Sequence, residues 1–336
     1  MLNYATIGSS WITKQMIQAA KLTQRYHLKA VYSRHVDKAK NFAKEHQADY
    51  YTNELNNILF DPEIHVIYIA SPNSLHAQQA LQAVQAGKHV IVEKPIFTSS
   101  AQWYEVYDAA DSNQVYVFEA VKHYHSRNYG RLRPLIKQKL QENSHPFVGA
   151  NFNIARYSSR FDTYIEAREN QWEPPNVFNA EYHGGSLMDL GIYPLYIAVD
   201  LFGMPKSVRY HAINDGHQID LYGNVILVYP KGQVSIFISQ AAQSQLPSEI
   251  YIGEETFVIQ DISRITNAKL INRYDEKVQI VDYQPANPMY DELLTFAEMI
   301  ENTKNVHREI RYENWRQLSL QVTQILELLR QSAKLY

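Results

Sequence analysis

The first third of the chain alternates short apolar runs with amphipathic stretches, and that rhythm constrains the fold more than any other feature. Tyr4–Ile7, Leu28–Tyr32, Ile64–Ala70, His89–Val92 and Val115–Ala120 read as strands. Between them Ile12–Tyr26, Asp37–His46, Leu75–Ala86 and Ala101–Asp111 read as helices. Gly87 stands just past one of these helices, where a left-handed residue ends a helix well. Strand–helix alternation predicts a parallel sheet with helices on both faces. A run as apolar as Val66–Ala70 fits a strand covered on both sides.

Beyond Val121 the rhythm changes. A basic helix is expected over Asn128–Gln141. Longer alternating strands follow at Phe147–Tyr157, Gln218–Tyr229 and Val234–Gln240, with shorter ones at Glu249–Tyr251, Thr256–Gln260, Lys269–Ile271 and Val278–Val281. Their alternation predicts a largely antiparallel sheet with one covered face. A glycine-led helix, Gly184–Phe202, interrupts this region, and helices over Pro288–Asn302 and Tyr312–Ala333 close the chain. The expected fold class is α/β. A doubly wound parallel sheet occupies residues 1–121, and an α+β domain with a large, mostly antiparallel sheet occupies residues 122–336.

Composition narrows the function. The 336 residues are enough for two domains. There is no cysteine, which excludes a disulfide framework, a thiolate zinc site, an iron–sulfur cluster and a cysteine nucleophile. That is compatible with a cytoplasmic protein, which is the expected location. The 32 Lys+Arg against 35 Asp+Glu give no general field for nucleic acid or an acidic membrane. Met1–Gly8 lacks the basic and apolar regions of a secretory signal, and no apolar run is read as reaching the roughly 18 residues that span a bilayer. No metal site is expected: His123 and His125 are two apart on an expected loop, and no Glu-x-x-His pair appears.

Four segments carry chemistry. Gly8-Ser9-Ser10-Trp11-Ile12-Thr13 follows the first strand and opens a helix, the place of a phosphate-binding turn. Only Gly8 matches the three-glycine fingerprint; Ser10 and Thr13 stand at the other two positions. After the second strand come Ser33 and Arg34, with Lys38 beyond, and no acidic residue closes the strand. A hydroxyl and a planar cation suit a ribose 2′-phosphate, which favours NADP over NAD. Ser71-Pro72-Asn73-Ser74-Leu75-His76 and Glu93-Lys94-Pro95 lie at the C-terminal ends of two strands, where parallel sheets bind ligands. Finally, Asp189 and Tyr193 are four apart in Gly184-Gly185-Ser186-Leu187-Met188-Asp189-Leu190-Gly191-Ile192-Tyr193-Pro194. Pro194 predicts a kink or turn at Tyr193.

In that order and spacing, with Gly87-Lys88-His89-Val90 and Phe118-Glu119-Ala120 between them, these motifs resemble the Gfo/Idh/MocA family of NAD(P)-dependent oxidoreductases. The Asp-x-Gly-x-Tyr ending resembles the branch of glucose–fructose oxidoreductase and dimeric dihydrodiol dehydrogenase. The resemblance implies a Rossmann domain for NAD(P), followed by a domain for substrate binding and oligomerisation, as a homodimer or higher homo-oligomer. It implies hydride transfer between nicotinamide and a sugar, polyol or related carbonyl/carbinol compound. It makes Tyr193 the general acid/base, Asp189 a substrate-orienting partner, and Lys94, often before a cis proline, a neighbour of nicotinamide and substrate. A phenol is a poor base near neutrality unless a cation stabilises the phenolate, which a lysine does. The expected cofactor contacts are Gly8, Ser9, Ser10, Trp11, Ile12, Ser33, Arg34, Lys38, Ala70, Ser71, Pro72, Asn73, His76, Glu93 and Lys94. Two other readings stay open: a non-catalytic NADP-binding sensor, and a redox-neutral glycosidase that uses NAD transiently.

Overall fold

The computed structural model describes residues 1–142, 147–214, 216, 218–301 and 306–336. They form two units, Met1–Lys122 with Pro285–Arg316, and His123–Gln284 with Gln317–Tyr336.

In the first unit the elements run β1 (Leu2–Ile7), α1 (Trp11–Thr23), β2 (Tyr26–Tyr32), α2 (Val36–His46), β3 (Tyr50–Thr52), α3 (Leu55–Leu59), β4 (Val66–Ile69), α4 (His76–Gln85), β5 (His89–Glu93), α5 (Ser100–Ser112) and β6 (Val117–Ala120). Six parallel strands stand in the order β3-β2-β1-β4-β5-β6. Every residue of β4 is buried, as its unbroken apolar sequence requires. The short β3 and α3 were not expected. Three and five residues are too few to show a hydrophobic period. Tyr26, expected at the end of the first helix, instead opens β2, because Gln24 turns left-handed and ends α1.

The second unit contains α6 from its second residue onward (Lys122–His125), α7 (Arg127–Gln141), β7 (Phe147–Ala155), α8 (Phe161–Asn170), a π-helical turn (Leu187–Gly191), α9 (Ile192–Phe202), β8 (Ser207–Asn214), β9 (Asp220–Tyr229), β10 (Gly232–Ser239), β11 (Ser248–Ile252), β12 (Glu255–Ile259), β13 (Ala268–Asn272) and β14 (Lys277–Val281). Its eight strands lie in the order β14-β13-β12-β11-β7-β10-β9-β8. All pairs are antiparallel except β7 with β10. Val225 and Leu227 of β9, and Val234, Ile236 and Ile238 of β10, are fully buried on one face. The intervening Tyr222, Ile226 and Val228 are at least partly open, the alternation of a sheet covered on one side. The helix α8 and the mostly exposed β8 carried no clear period in the sequence.

Two sequence expectations change here. The segment Ala180–Phe202 is long and apolar enough, by length and composition, to cross a membrane, although no such run was read. In this fold it is a core element, with 83% of its most apolar window buried. Nor does the helix break at Tyr193. α9 runs on through Tyr193 and Pro194, and the irregularity lies upstream in the π turn. A wide turn next to a proline is a recurrent answer to its missing N–H.

The chain then returns with α10 (Tyr290–Glu301) and α11 (Val306–Ser332). Asn302, expected at the end of the first of these helices, lies outside the described residues. Pro285–Arg316 was assigned by sequence to the second domain, but it packs with the first unit. The reason is aromatic and polar contact. Phe296 stacks on Phe118 with ring centroids 4.5 Å apart, and the Tyr26 hydroxyl donates to the Leu293 carbonyl (2.9 Å). Arg316 donates both terminal nitrogens to Asp111 (3.0 and 2.9 Å).

Candidate active site

In the first unit the site is built where the sheet reverses direction. β1 lies between β2 and β4, so consecutive βα connections leave on opposite faces and a crevice opens at the C-terminal ends of β1 and β4. Gly8 leaves β1 with φ +105°, a conformation that disfavours side chains. A Cβ there would stand 2.6 Å from the Ala70 carbonyl oxygen. The two strand exits can therefore approach only because residue 8 is glycine. Ser9, Ser10, Trp11 and Ile12 follow on the way into α1. No side chain caps that helix and no acidic residue lies in its first turn. Its leading amides keep their positive end for an anion, with Ser10 and Thr13 hydroxyls 3.5 Å apart beside them.

The β2 exit is tied to the same crevice, since the Gly8 amide points at the Tyr32 carbonyl (3.5 Å). Ser33 accepts the His35 amide (3.3 Å), while Arg34 and Lys38 are exposed. The β4 exit, Ala70-Ser71-Pro72-Asn73, is partly open. His76 lies beneath it, 1% exposed. One ring nitrogen is 2.9 Å from the Ser71 carbonyl and the other 3.0 Å from that of Pro95. His76 thus joins the Ser71 loop to Pro95, whose peptide bond with Lys94 is cis. Burial lowers the pKa of its ring.

Glu93 is buried and accepts the Tyr68 hydroxyl (2.7 Å). Burial raises its pKa. Behind it stands Glu292 of α10, with no exposed surface and no hydrogen-bond partner on either oxygen. Burial and the charge of Glu93 push its pKa well up. Lys94 itself is half-buried. The expected cofactor residues thus fall into two sorts. The turn, the β2 exit and Ala70–Asn73 present surface, whereas His76 and Glu93 lie behind it.

In the second unit, Asp189 sits in the π turn and Tyr193 in the first turn of α9. Tyr193 is 8% exposed. His123 Nε2 donates to its carbonyl (3.0 Å), and the two rings meet edge to face at 5.1 Å. The Asp189 carboxylate accepts Gln240 Nε2 (2.9 Å). Gly191 lets the turn press on β10, since a Cβ there would lie 2.8 Å from Ile238 Cδ1. At its start, Leu187 donates its amide to Asp220 (2.6 Å), and the Tyr336 hydroxyl donates to the Gly184 carbonyl.

His123, Asp220, Gln240 and Glu292 did not emerge from the sequence as parts of a site. Asp220 did leave a trace, as a carboxylate opening a strand that is apolar at most of its other positions, Asp220-Leu221-Tyr222-Gly223-Asn224-Val225-Ile226.

Comparison with known proteins agrees with this layout. Residues 2–121 match a family described as "Oxidoreductase family, NAD-binding Rossmann fold", and residues 153–258 match the GFO/IDH/MocA C-terminal domain. The uncharacterised oxidoreductase YgjR of Escherichia coli (strain K12) is 33% identical over 303 residues, 90% of this chain and 89% of that one. The scyllo-inositol 2-dehydrogenase (NADP(+)) IolU of Bacillus subtilis (strain 168) is 32% identical over 336 residues, 98% of this chain and 96% of that one. Among solved structures, levoglucosan dehydrogenase in complex with NADH superposes with a TM-score of 0.81 at 17% identity, covering 99% of this chain and 97% of that one. That last likeness is one of fold.

Proposed function

The chain belongs to the Gfo/Idh/MocA family of oxidoreductases, and from that premise we propose that it is an NADP-preferring dehydrogenase or reductase acting on a sugar, polyol or related carbonyl/carbinol compound. The observation that carries the reading is the crevice at β1 and β4. Gly8 brings backbone against Ala70, and uncapped α1 amides face it beside two hydroxyls. This arrangement suits the pyrophosphate of a dinucleotide. Exposed Arg34, with the Ser33 hydroxyl before it, suits a 2′-phosphate. The name of the similar Bacillus enzyme supports the NADP preference and a cyclic polyol as substrate.

When bound, the nicotinamide supplies a hydride acceptor or donor. The chain's own residues manage the accompanying proton. Tyr193 takes it from, or returns it to, the substrate oxygen as general base or acid. The Lys94 ammonium stabilises negative charge on the phenolate and on the developing alkoxide. Asp189, its orientation fixed by Gln240, accepts a substrate hydroxyl. The buried, tightly packed setting of Tyr193 limits the water that competes for this proton.

The test is a turnover screen with NADP and NAD against inositols, aldoses, anhydrosugars and diols. NADP-linked oxidation of at least one polyol or sugar is expected. Tight NADPH binding without turnover across the panel would instead favour a sensor, and product without net cofactor oxidation a glycosidase.

We also infer a homodimer through the open face of the eight-stranded sheet, working in the cytoplasm. Tyr222, Ile226 and Val228 of β9 and Phe237 of β10 bring apolar surface to that face. Ile226→Lys should shift the light-scattering mass to that of a monomer.

A further inference from the structure

Beneath the π turn lies a buried polar brace that reaches Asp189 through one side chain, Gln240. Asp220, at the start of β9, has no exposed surface. Its Oδ2 accepts the Leu187 amide and the Tyr210 hydroxyl, both at 2.6 Å. Its Oδ1 has no hydrogen-bond partner and faces Gly185, where a Cβ would stand 2.0 Å away. One residue on, the Leu221 carbonyl accepts the Ser186 hydroxyl (2.6 Å) and the Gln240 amide (3.0 Å). Gln240, 2% exposed, then reaches Asp189 with its side chain (2.9 Å). Ser186 just before the turn, and Leu187 and Asp189 within it, are thus held by the start of β9 and by the residue that follows β10.

Packing alone has no use for a carboxyl at this place. A buried oxygen without a partner destabilises the fold, and a serine could cap the helix without it. We propose that Asp220 and Gln240 are positioning residues for the Asp189–Tyr193 pair, Asp220 fixing where the π turn begins and Gln240 fixing which way the Asp189 carboxylate faces. This rests on the reading of that pair given above.

Asp220 also responds to pH. Burial raises its pKa to about 7, against the opposing pull of the Tyr210 and Leu187 hydrogen bonds. Tyr336 lies within electrostatic reach of Asp220 and of Arg330 of α11, which donates to His183 (3.1 Å), while Arg209 and His211, on either side of Tyr210 in β8, and Tyr222 of β9 are exposed, and Asp189 of the π turn is held by Gln240. Near neutrality the group therefore passes between an acid and a carboxylate. The carboxylate grips both donors more strongly, because hydrogen bonds to a charged acceptor are the stronger kind.

The experiment compares wild type, Asp220→Asn, Tyr210→Phe, Gln240→Leu and Tyr193→Phe in two measurements between pH 5.5 and 8.5. The first is hydrogen exchange of the segment from Ser186 to Tyr193, corrected for intrinsic rates. The second is kcat and the cofactor KM. In wild type, protection should rise through pH 7. Asp220→Asn should abolish that step and lower kcat about tenfold with the cofactor KM unchanged. Tyr210→Phe removes a bond to the charged form, so it should move the step to higher pH. Gln240→Leu should lower kcat while leaving the exchange step in place. Wild-type exchange and pH profiles in Asp220→Asn, or an unmoved step in Tyr210→Phe, would overturn the proposal. Full turnover in Tyr193→Phe would instead refute the reading of the catalytic pair, and the exchange profiles would still decide whether Asp220 holds the turn.

Discussion

The two units hold their functional segments in different ways. In the first, the crevice follows from local backbone. A positive φ at Gly8, a helix start at Trp11 and strand ends at Ala70 and Glu93 lie in the motifs themselves. In the second, the segment from Gly184 to Tyr193 is held from far along the chain: by His123, 70 residues away from Tyr193, by Asp220, 33 from Leu187, and by Gln240, 51 from Asp189. The parallel sheet needs little outside help because strand order alone creates the ligand crevice. In the second unit the segment is held instead by a buried polar framework, in which one oxygen of Asp220 is left without a hydrogen-bond partner.

The comparison can be broken first at Gly8. Gly8→Val places a side chain 2.6 Å from the Ala70 oxygen at φ +105°. NADPH binding, followed by calorimetric titration, should fall at least about 100-fold, the backbone strain adding to the clash. Near-normal affinity would mean that the turn does not approach the cofactor.

A smaller effect is expected at the β2 exit. Arg34→Ala should weaken NADP about tenfold through loss of a charge-assisted contact while leaving NAD nearly unchanged. Equal losses for both would remove the 2′-phosphate role and leave NADP preference without a residue.

The smallest effect concerns stability. Glu292 is buried with its pKa raised, so the folded chain retains a proton that the unfolded chain releases above about pH 4.3. Its contribution is therefore fully present below that pH and declines as the pH climbs toward the folded value. Glu292→Gln, which keeps the shape without the proton exchange, should gain about 1–2 kcal/mol over wild type at pH 8 and lose that advantage near pH 5. A pH-independent difference in denaturant midpoints would show that Glu292 does not titrate with folding.

How much was legible in the sequence follows the same division. The parallel sheet, the turn at Gly8 and the candidate pair Asp189 and Tyr193 could be read because each sits in a local pattern, whereas the cis bond at Lys94–Pro95 was implied by the family resemblance alone. The bend at Tyr193 was misplaced, because proline chemistry predicts an irregularity but not on which side the helix absorbs it. The return of Pro285–Arg316 to the first unit was invisible, since the pairing of Phe296 with Phe118 leaves no periodic trace. His123, Asp220 and Gln240 escaped for the same reason: their value lies in partners that only the fold brings near.

The proposal that hydride transfer is coupled to a proton moved by Tyr193 and assisted by Lys94 is tested most directly by turnover and NADPH affinity measured together in Tyr193→Phe and Lys94→Ala. Each should lower kcat by about 100-fold or more while the NADPH dissociation constant changes less than about threefold. Undiminished kcat in Tyr193→Phe with a substrate that the wild type turns over would contradict it.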